Sequence, residues 1–291
     1  MYFFDFHADT PLVLSSDNGA LSAVDLINPP FERYIQTFAL FFRDGDKNTF
    51  ETYKIRLNAV KQFCGKNNIP ILTKIGSVKK GVILSVENGS FFAENPDFLN
   101  TIYNDGVRIL SLSWNGKNNL ASGADFNGGL TKKGKELIGK MNALNMAVDI
   151  SHLSKKSSFE ALDISKTVIA THSCCEKIFK HKRNLSDEEL KKIKQKNGLI
   201  GLCFYPEFLG SDNVADRLIA NVYHLLELGM ENNIAFGSDF DGAKMAPELA
   251  KTAHIPWLYN QFLKAGLKKS LVEAIFYKNA LAFFSKICEN N

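Results

Sequence analysis

Residues 199–242 read LIGLCFYPEFLGSDNVADRLIANVYHLLELGMENNIAFGSDFDG, and this stretch decides the fold. It opens with an apolar run, Leu199 to Tyr205, and ends with a second one, Ile234 to Gly237. Both runs are nearly continuous in hydrophobicity, which is typical of strands buried on both faces of a parallel sheet. Between them, from Val214 to Leu226, apolar residues recur with the period of a helix. The stretch therefore predicts a strand, a helix and a second, parallel strand.

The same alternation of strand and helix runs along the whole chain. The six other apolar runs are Tyr2 to Phe6, Tyr34 to Phe42, Gly81 to Val86, Val107 to Trp114, Met146 to Ile150 and Thr167 to Thr171. Helical periodicity begins at Phe50, covers Leu137 to Leu144 and recurs from Ser270 to Ile287. Ser186 and Glu189 form the capping box of a lysine-rich helix. Eight strand–helix units predict an α/β fold, the (β/α)8 TIM barrel.

Length and composition are consistent with one such barrel. The chain has 291 residues, of which 45% are hydrophobic and 23% charged. A barrel takes about 250 residues, so we expect a single domain over residues 1–291. The net charge of +4 is spread over short basic runs, which argues against a nucleic-acid partner.

The cysteines and the apolar runs bear on the compartment. The chain contains five cysteines and no CxxC spacing, which predicts reduced thiols in a cytoplasmic protein. No apolar stretch approaches the ~18 residues of a membrane span, and the first residues lack the basic region of a secretory signal. A mature chain whose signal has been removed stays open as an alternative.

Ionisable residues follow five of the eight predicted strands. They are His7 and Asp9, Glu87, Asp149 and His152, His172, and Asp239 and Asp241. The carboxyl ends of the strands form the edge where barrel enzymes work. Each residue also has an ordinary structural interpretation: a histidine can simply be hydrogen-bonded, and Asp241-Gly242 can be a plain turn. Their convergence at one edge favours a functional site, because unpaired buried polar groups are costly.

The same residues suit metal ions. His7 and Asp9 are two apart in a strand and share one face, so both can hold one cation that Glu87 also reaches. His152 and His172 follow neighbouring strands and can hold a second cation. Imidazoles with carboxylates favour zinc over manganese, cobalt or nickel. A bridged pair of ions about 3.5–4 Å apart activates water at neutral pH. The sequence therefore predicts two Zn²⁺ per chain, with other divalent transition metals as alternatives.

Several segments in chain order resemble the motifs of the membrane (renal) dipeptidase family, peptidase family M19, in a bacterial-type form. The segments are DFHAD (5–9), VENG (86–89), GLTKKG (129–134), MN (141–142), DISHLS (149–154), THS (171–173), HKRN (181–184) and GSDFDG (237–242). The resemblance runs nearly from end to end. It implies a zinc-dependent dipeptidase on a barrel of the metal-dependent hydrolase type, acting on small dipeptides through a hydroxide activated by two metal ions.

The resemblance also implies roles for the metal ligands. His7 and Asp9 would bind the first zinc, and His152 and His172 the second. Glu87 would bridge the two ions and is counted among the catalytic residues.

Further roles concern the substrate. By resemblance, Asp239 would handle protons at the scissile amide, and Arg183 would bind the C-terminal carboxylate of the substrate. Tyr205, at the end of the seventh apolar run, is also expected to contact the substrate. The planar fork of an arginine matches a carboxylate, which lysine cannot imitate. The alternative for Arg183 is a surface residue beside Asp187. The remaining histidines, at positions 181, 224 and 254, are expected to be structural.

One departure from the family pattern concerns the end of the fourth strand. Many family members read L-T-H there, and this chain reads Leu112-Ser113-Trp114. Tryptophan has one donor and no acceptor, so it cannot replace that histidine. Trp114 is therefore expected either to form an apolar wall that contacts the substrate or to pack in the barrel.

Alternatives to a dipeptidase keep the same barrel. One is a binuclear metallohydrolase acting on a non-peptide amide, a lactone or a phosphoester. Another is a low-activity, degenerate member that lost turnover with the histidine. For partners, we expect a dipeptide substrate, no nucleic acid and no membrane, since no hydrophobic anchor tail ends the chain. A homodimer stays open.

Overall fold

Eight parallel strands close into a barrel in the order of the chain. The computed structural model describes residues 1–16, 22–45, 50–211 and 213–288. Each strand pairs with the next, and the last pairs with the first through Asp5 and Phe236. The strands are β1 (Tyr2–Ala8), β2 (Arg33–Phe41), β3 (Lys80–Glu87), β4 (Val107–Ser111), β5 (Ala147–Asp149), β6 (Val168–Ser173), β7 (Leu199–Leu202) and β8 (Ile234–Phe236). The prediction of a (β/α)8 TIM barrel is confirmed, and every strand lies on a predicted apolar run.

Helices fill the connections and surround the barrel. The α-helices are α1 (Thr10–Leu14), α2 (Phe50–Lys66), α3 (Phe98–Asn104), α4 (Lys132–Ala143), α5 (Lys155–Ile164), α6 (Asp187–Gln195), α7 (Pro206–Leu209), α8 (Val214–Glu227), α9 (Ile255–Lys264), α10 (Lys269–Glu273) and α11 (Asn279–Cys288). A π-helical segment, Ala274–Lys278, joins the last two. The predicted capping box is present at α6, where Ser186 and Glu189 each accept a hydrogen bond from the other's backbone N–H. Among the described residues, no helix combines the length and the apolar character needed to cross a bilayer.

The starting ends of the strands are closed by apolar packing. One buried cluster takes residues from every strand, among them Phe4 and Phe6 of β1 and Ile35 of β2. Helix α11 packs against this cluster with Phe283 and Phe284. Because the starting ends are filled in this way, polar side chains gather at the opposite, carboxyl end of the barrel.

Two glycines allow three strands to approach one another at that end. A Cβ on Gly237 would lie 1.6 Å from the carbonyl oxygen of Thr171, and one on Gly201 would lie 2.1 Å from the same atom. Any larger residue would therefore push β7 or the segment after β8 away from β6. The approach brings the segments that carry His172 and Asp239 together.

Candidate metal centre

Side chains from β1, β3 and the segment after β8 meet at the carboxyl end of the barrel. His7 Nε2 lies 3.1 Å from Glu87 Oε2, 3.7 Å from Asp9 Oδ2 and 3.8 Å from Asp239 Oδ1. His7, Asp9 and Glu87 are all buried. These four residues therefore form the first half of a compact polar cluster.

The second half comes from the segment after β5 and from β6. His152 Nε2 lies 2.7 Å from Glu87 Oε1 and 2.7 Å from His172 Nε2. The two oxygens of Glu87 thus face different halves of the cluster, one toward His7 and the other toward His152. A carboxylate in this position has the geometry of a bridge between two cations.

The cluster fits metal ions by its unpaired atoms as well as by its composition. Within the part of the chain that the structure describes, no hydrogen bond reaches His7 Nε2, Asp9 Oδ1 or Glu87 Oε2, although all three atoms are buried. Leaving such an atom unpaired costs about 1–3 kcal/mol. The ligand atoms of His7, Asp9 and Glu87 lie within 4.8 Å of one another, as do those of Glu87, His152 and His172. One cation would satisfy the three unpaired atoms, and the second set of ligand atoms offers a place for another.

Hydrogen bonds behind the histidines orient their rings. His152 Nδ1 lies 2.9 Å from Asn115 Oδ1, and His172 Nδ1 lies 2.9 Å from Thr171 Oγ1. Thr171 Oγ1 in turn donates to Asp149 Oδ2 at 2.6 Å, so it accepts from the Nδ1–H of His172. With Nδ1 protonated, His172 presents the lone pair of Nε2 to the cluster, whereas His152 Nδ1 also lies 3.2 Å from Arg183 Nε.

Two further aspartates hold the segment after β8 in place. Asp5 accepts hydrogen bonds from the backbone N–H of Ser238 at 2.8 Å and from its hydroxyl at 2.5 Å. Asp241 accepts from Thr10 Oγ1 and from Ser22 Oγ, both at 2.6 Å. Asp241 and Gly242 do form a turn, as expected, and the side chain of Asp241 also links distant segments of the chain.

Burial and neighbouring charges shift the pKa values of the cluster. Burial would raise the pKa of the Glu87 carboxyl, but the imidazoles of His152 and His7 outweigh it and hold the pKa well below its usual range. Burial, followed by the charge of Arg183, lowers the pKa of His152 to about 4. These shifts favour a charged Glu87 and a neutral His152, which are the states that bind metal ions. The pKa of His7 shifts the other way: burial would lower it, but the carboxylates of Glu87 and Asp9 outweigh burial and raise the pKa well above its usual value.

Arg183 lies against the second half of the cluster. Its side chain is buried, and its Nη2 lies 2.8 Å from His152 Nε2 and 2.9 Å from His172 Nε2. Asp187, its neighbour in sequence, pairs instead with His224 Nε2 at 2.7 Å. The alternative of a surface arginine beside Asp187 is therefore wrong, and the guanidinium is placed at the site.

A cavity of about 510 Å³ opens above the cluster. Trp114 and Tyr205 are half-buried and line it, together with Asp239. The ring of Trp114 lies 6.0 Å from that of His152 and packs edge-on against Phe41 of β2, so the side chain both lines the cavity and packs at the barrel mouth. His181 lines the cavity too, contrary to the expectation of a purely structural role.

Among the residues of this site that sequence reasoning missed are Asn115 and Phe41. Asn115 orients His152, and Phe41 lines the cavity beside Trp114. Each adjoins a predicted feature: Asn115 follows Trp114, and Phe41 is the last residue of β2. Their positions at or near strand ends could have indicated a place in the site. Sequence reasoning passed over them because it selected ionisable side chains, and neither of these is ionisable.

The fold and the cluster define a class of protein. A (β/α)8 barrel that gathers histidines and carboxylates at the carboxyl ends of its strands is the architecture of metal-dependent hydrolases. The family model described as membrane dipeptidase (peptidase family M19) matches residues 34–291. The chain therefore belongs to this family of metallopeptidases and is an enzyme of the metallo-dipeptidase type.

Individual relatives agree with this assignment. The chain is 30% identical over 214 residues to the "uncharacterized protein in pqqA 5′ region" of Klebsiella pneumoniae, covering 68% of this chain and 79% of that protein. It is 29% identical over 209 residues to "uncharacterized dipeptidase C3A11.10c" of Schizosaccharomyces pombe, covering 68% of this chain and 51% of the relative. The chain thus spans about half the length of that yeast relative.

Solved structures share the fold. A metallo peptidase from Rhodobacter sphaeroides, liganded with a phosphinate mimic of the dipeptide L-Ala-D-Ala, superposes with a TM-score of 0.86 at 20% identity, covering 99% of both chains. A dipeptidase described as a family M19 metallo peptidase also gives a TM-score of 0.86, at 21% identity and 98% coverage of both chains.

Proposed function

We propose that the chain hydrolyses the peptide bond of small dipeptides with the help of two divalent ions, zinc by preference. His7 and Asp9 would hold the first ion, His152 and His172 the second, and Glu87 would bridge them. The observation that carries this proposal is the position of Glu87, whose two oxygens lie 3.1 Å from His7 Nε2 and 2.7 Å from His152 Nε2. A carboxylate between two sets of ligands suits a pair of ions.

Asp239 is assigned the proton transfer. When bound, the two ions would supply polarisation of the peptide carbonyl and activation of water. The Asp239 carboxyl lines the cavity and has Oδ1 3.8 Å from His7 Nε2, so it lies beside the place where the peptide bond must sit. From there it can accept a proton from the attacking water and pass it to the leaving nitrogen.

Arg183 and Tyr205 are assigned to substrate binding. The guanidinium is buried at the cavity, where its Nη2 contacts His152 Nε2 and His172 Nε2. Since the second ion would take the lone pairs of those two atoms, the planar fork would then be free to bind the C-terminal carboxylate of a dipeptide. Tyr205 lines the same cavity. A volume of about 510 Å³ suits a small ligand, because such pockets measure about 300–1,000 Å³.

The cytoplasm is the compartment that we propose. No disulfide joins cysteines among the described residues, and four of them, at positions 64, 174, 175 and 203, are buried. Reduced, buried thiols are typical of proteins in a reducing compartment.

We expect the purified protein to bind two divalent ions per chain, because the cluster offers two sets of ligand atoms that share Glu87. Elemental analysis after reconstitution with Zn²⁺ measures the ratio. The matched control is His224→Ala, which removes a histidine that pairs with Asp187 outside the cluster and should leave the ratio at two. Fewer than one ion per chain in the reconstituted protein would contradict the binuclear centre.

Replacing Arg183 by lysine or alanine is expected to raise KM for dipeptides with a free C-terminal carboxylate. Hydrogen bonds to charged groups contribute about 1.5–3 kcal/mol, which corresponds to roughly 10- to 100-fold. The same dipeptides with a C-terminal amide should show no such change. Steady-state kinetics on both series, with metal content checked in each variant, makes the comparison. An equal effect on both series, or none, would favour the alternative of a non-peptide amide, lactone or phosphoester as substrate.

A further inference from the structure

Two aromatic side chains stand over the part of the barrel that carries Glu87. Phe41 ends β2 and lies in register with Glu87 of β3. Trp114 follows β4 by three residues. Since β2, β3 and β4 are neighbours in the barrel, the segments that carry Phe41 and Trp114 flank the strand that carries Glu87. We name this pair the aromatic shelf.

The shelf is fixed by its own packing and faces the cavity. The ring centroids of Phe41 and Trp114 lie 5.2 Å apart at 66°, an edge-to-face arrangement that aromatic pairs favour. Both side chains are only half-buried, and both line the cavity. Part of their apolar surface is therefore available to a ligand above the metal cluster.

The groups assigned to the carboxylate end of the substrate lie on the other side of the barrel. Arg183 follows β6, and its guanidinium stacks over Phe208 at 5.0 Å. Tyr205 follows β7, and its ring packs edge-on against Phe208 at 5.1 Å. Phe41, which ends β2, thus lies opposite Arg183, which follows β6, in the ring of eight strands. Trp114 lies between them, with its ring 6.0 Å from that of His152, whose Nε2 lies 2.8 Å from Arg183 Nη2.

This arrangement sets the orientation of a dipeptide bound across the site. The argument rests on the proposed function. With its C-terminal carboxylate on Arg183 and its peptide carbonyl over the cluster, the N-terminal residue extends toward β3. One residue spans at most ~3.6 Å, and the ring of Trp114 lies 6.0 Å from that of His152, so the side chain of that residue is within reach of the shelf.

We infer that the aromatic shelf is the subsite for the side chain of the N-terminal residue and selects dipeptides in which that side chain is aromatic or branched aliphatic. An apolar side chain that packs against the indole and phenyl rings removes apolar surface from water, which strengthens binding. A hydroxyl or another uncharged polar group brings no such gain in binding free energy. Trp114 is then a specificity-determining residue of this chain, at the position where the family pattern has histidine.

The test measures kcat/KM of the metal-loaded enzyme for Phe-Ala, Leu-Ala, Ala-Ala and Ser-Ala. The wild-type enzyme should favour Phe-Ala and Leu-Ala over Ala-Ala by about tenfold or more, since apolar pockets discriminate by 10–200-fold. Trp114→Ala and Trp114→His should bring the ratio close to one, whereas Trp114→Phe should retain it. The last two variants keep the comparison valid if the alanine variant fails to fold.

The other tryptophan provides the matched control. Trp257 lies on α9, is 38% exposed and does not line the cavity, so Trp257→Ala should leave the ratio unchanged. A ratio that stays the same in Trp114→His, with dipeptides still hydrolysed, would overturn the shelf as a subsite and leave the proposed function standing. A metal-loaded enzyme that hydrolyses none of the dipeptides would overturn the proposed function and the inference together.

Discussion

Replacing His152 by alanine is expected to abolish dipeptide hydrolysis and to reduce the bound metal from two ions per chain to one. His152 Nε2 lies 2.7 Å from both Glu87 Oε1 and His172 Nε2, so its loss leaves the second ion with two protein ligands. Losing one ion raises the activation free energy by several kcal/mol, because that ion would stabilise charge in the transition state. Each 1.36 kcal/mol lowers the rate constant about tenfold, so kcat/KM should fall by about a thousandfold or more.

The His152 variant should remain folded, because the side chain lies at the floor of the cavity and outside the apolar clusters. Circular dichroism and a thermal melt check the fold, and elemental analysis counts the metal. His224→Ala serves again as the histidine control and should retain full activity. Turnover near the wild-type rate in the His152 variant would mean that the ligands are misassigned.

Replacing Asp239 by asparagine should lower kcat by about 10²–10⁴-fold while both ions stay bound, since that is the usual contribution of a general acid–base group. Asparagine preserves the shape of the side chain but cannot carry the proton to the leaving nitrogen. It also tolerates the backbone of this position, where φ is +66°, in the left-handed region that asparagine enters more readily than most residues.

The control for Asp239 is an aspartate outside the site. Asp163 is on α5 and pairs with Lys192 at the surface, so Asp163→Asn should leave kcat unchanged. Pre-steady-state measurement of the chemical step separates a lost proton transfer from slow product release. If Asp239→Asn kept its full kcat with metal bound, the proton transfer would belong to another group.

The barrel and the metal cluster could be predicted from sequence because they depend on simple rules. Buried parallel strands are apolar on both faces, so their positions are visible as continuous runs. Their carboxyl ends all lie at one edge, so His7, Glu87 and His172 must come close together once the barrel closes. Neither rule needs knowledge of the loops.

The surroundings of the cluster depend on contacts between distant segments, which local sequence does not encode. Asp187 is a plausible partner for Arg183 by proximity in the chain, but it pairs with His224 of α8 instead. Asp241 has the sequence of a turn, yet its partners Thr10 and Ser22 are more than two hundred residues away. Asn115 orients His152 through the long loop after β4. Only the packed structure determines such pairs.

The seam between β1 and β8 has a consequence for biosynthesis. Asp5 accepts a hydrogen bond from Ser238, 233 residues later in the chain, and Asp239 follows Ser238 directly. A nascent chain cannot close the ring until β8 has emerged, so Asp239 can join His7, Asp9 and Glu87 only then. Under the proposed function, binding of the ions should therefore coincide with closure of the ring.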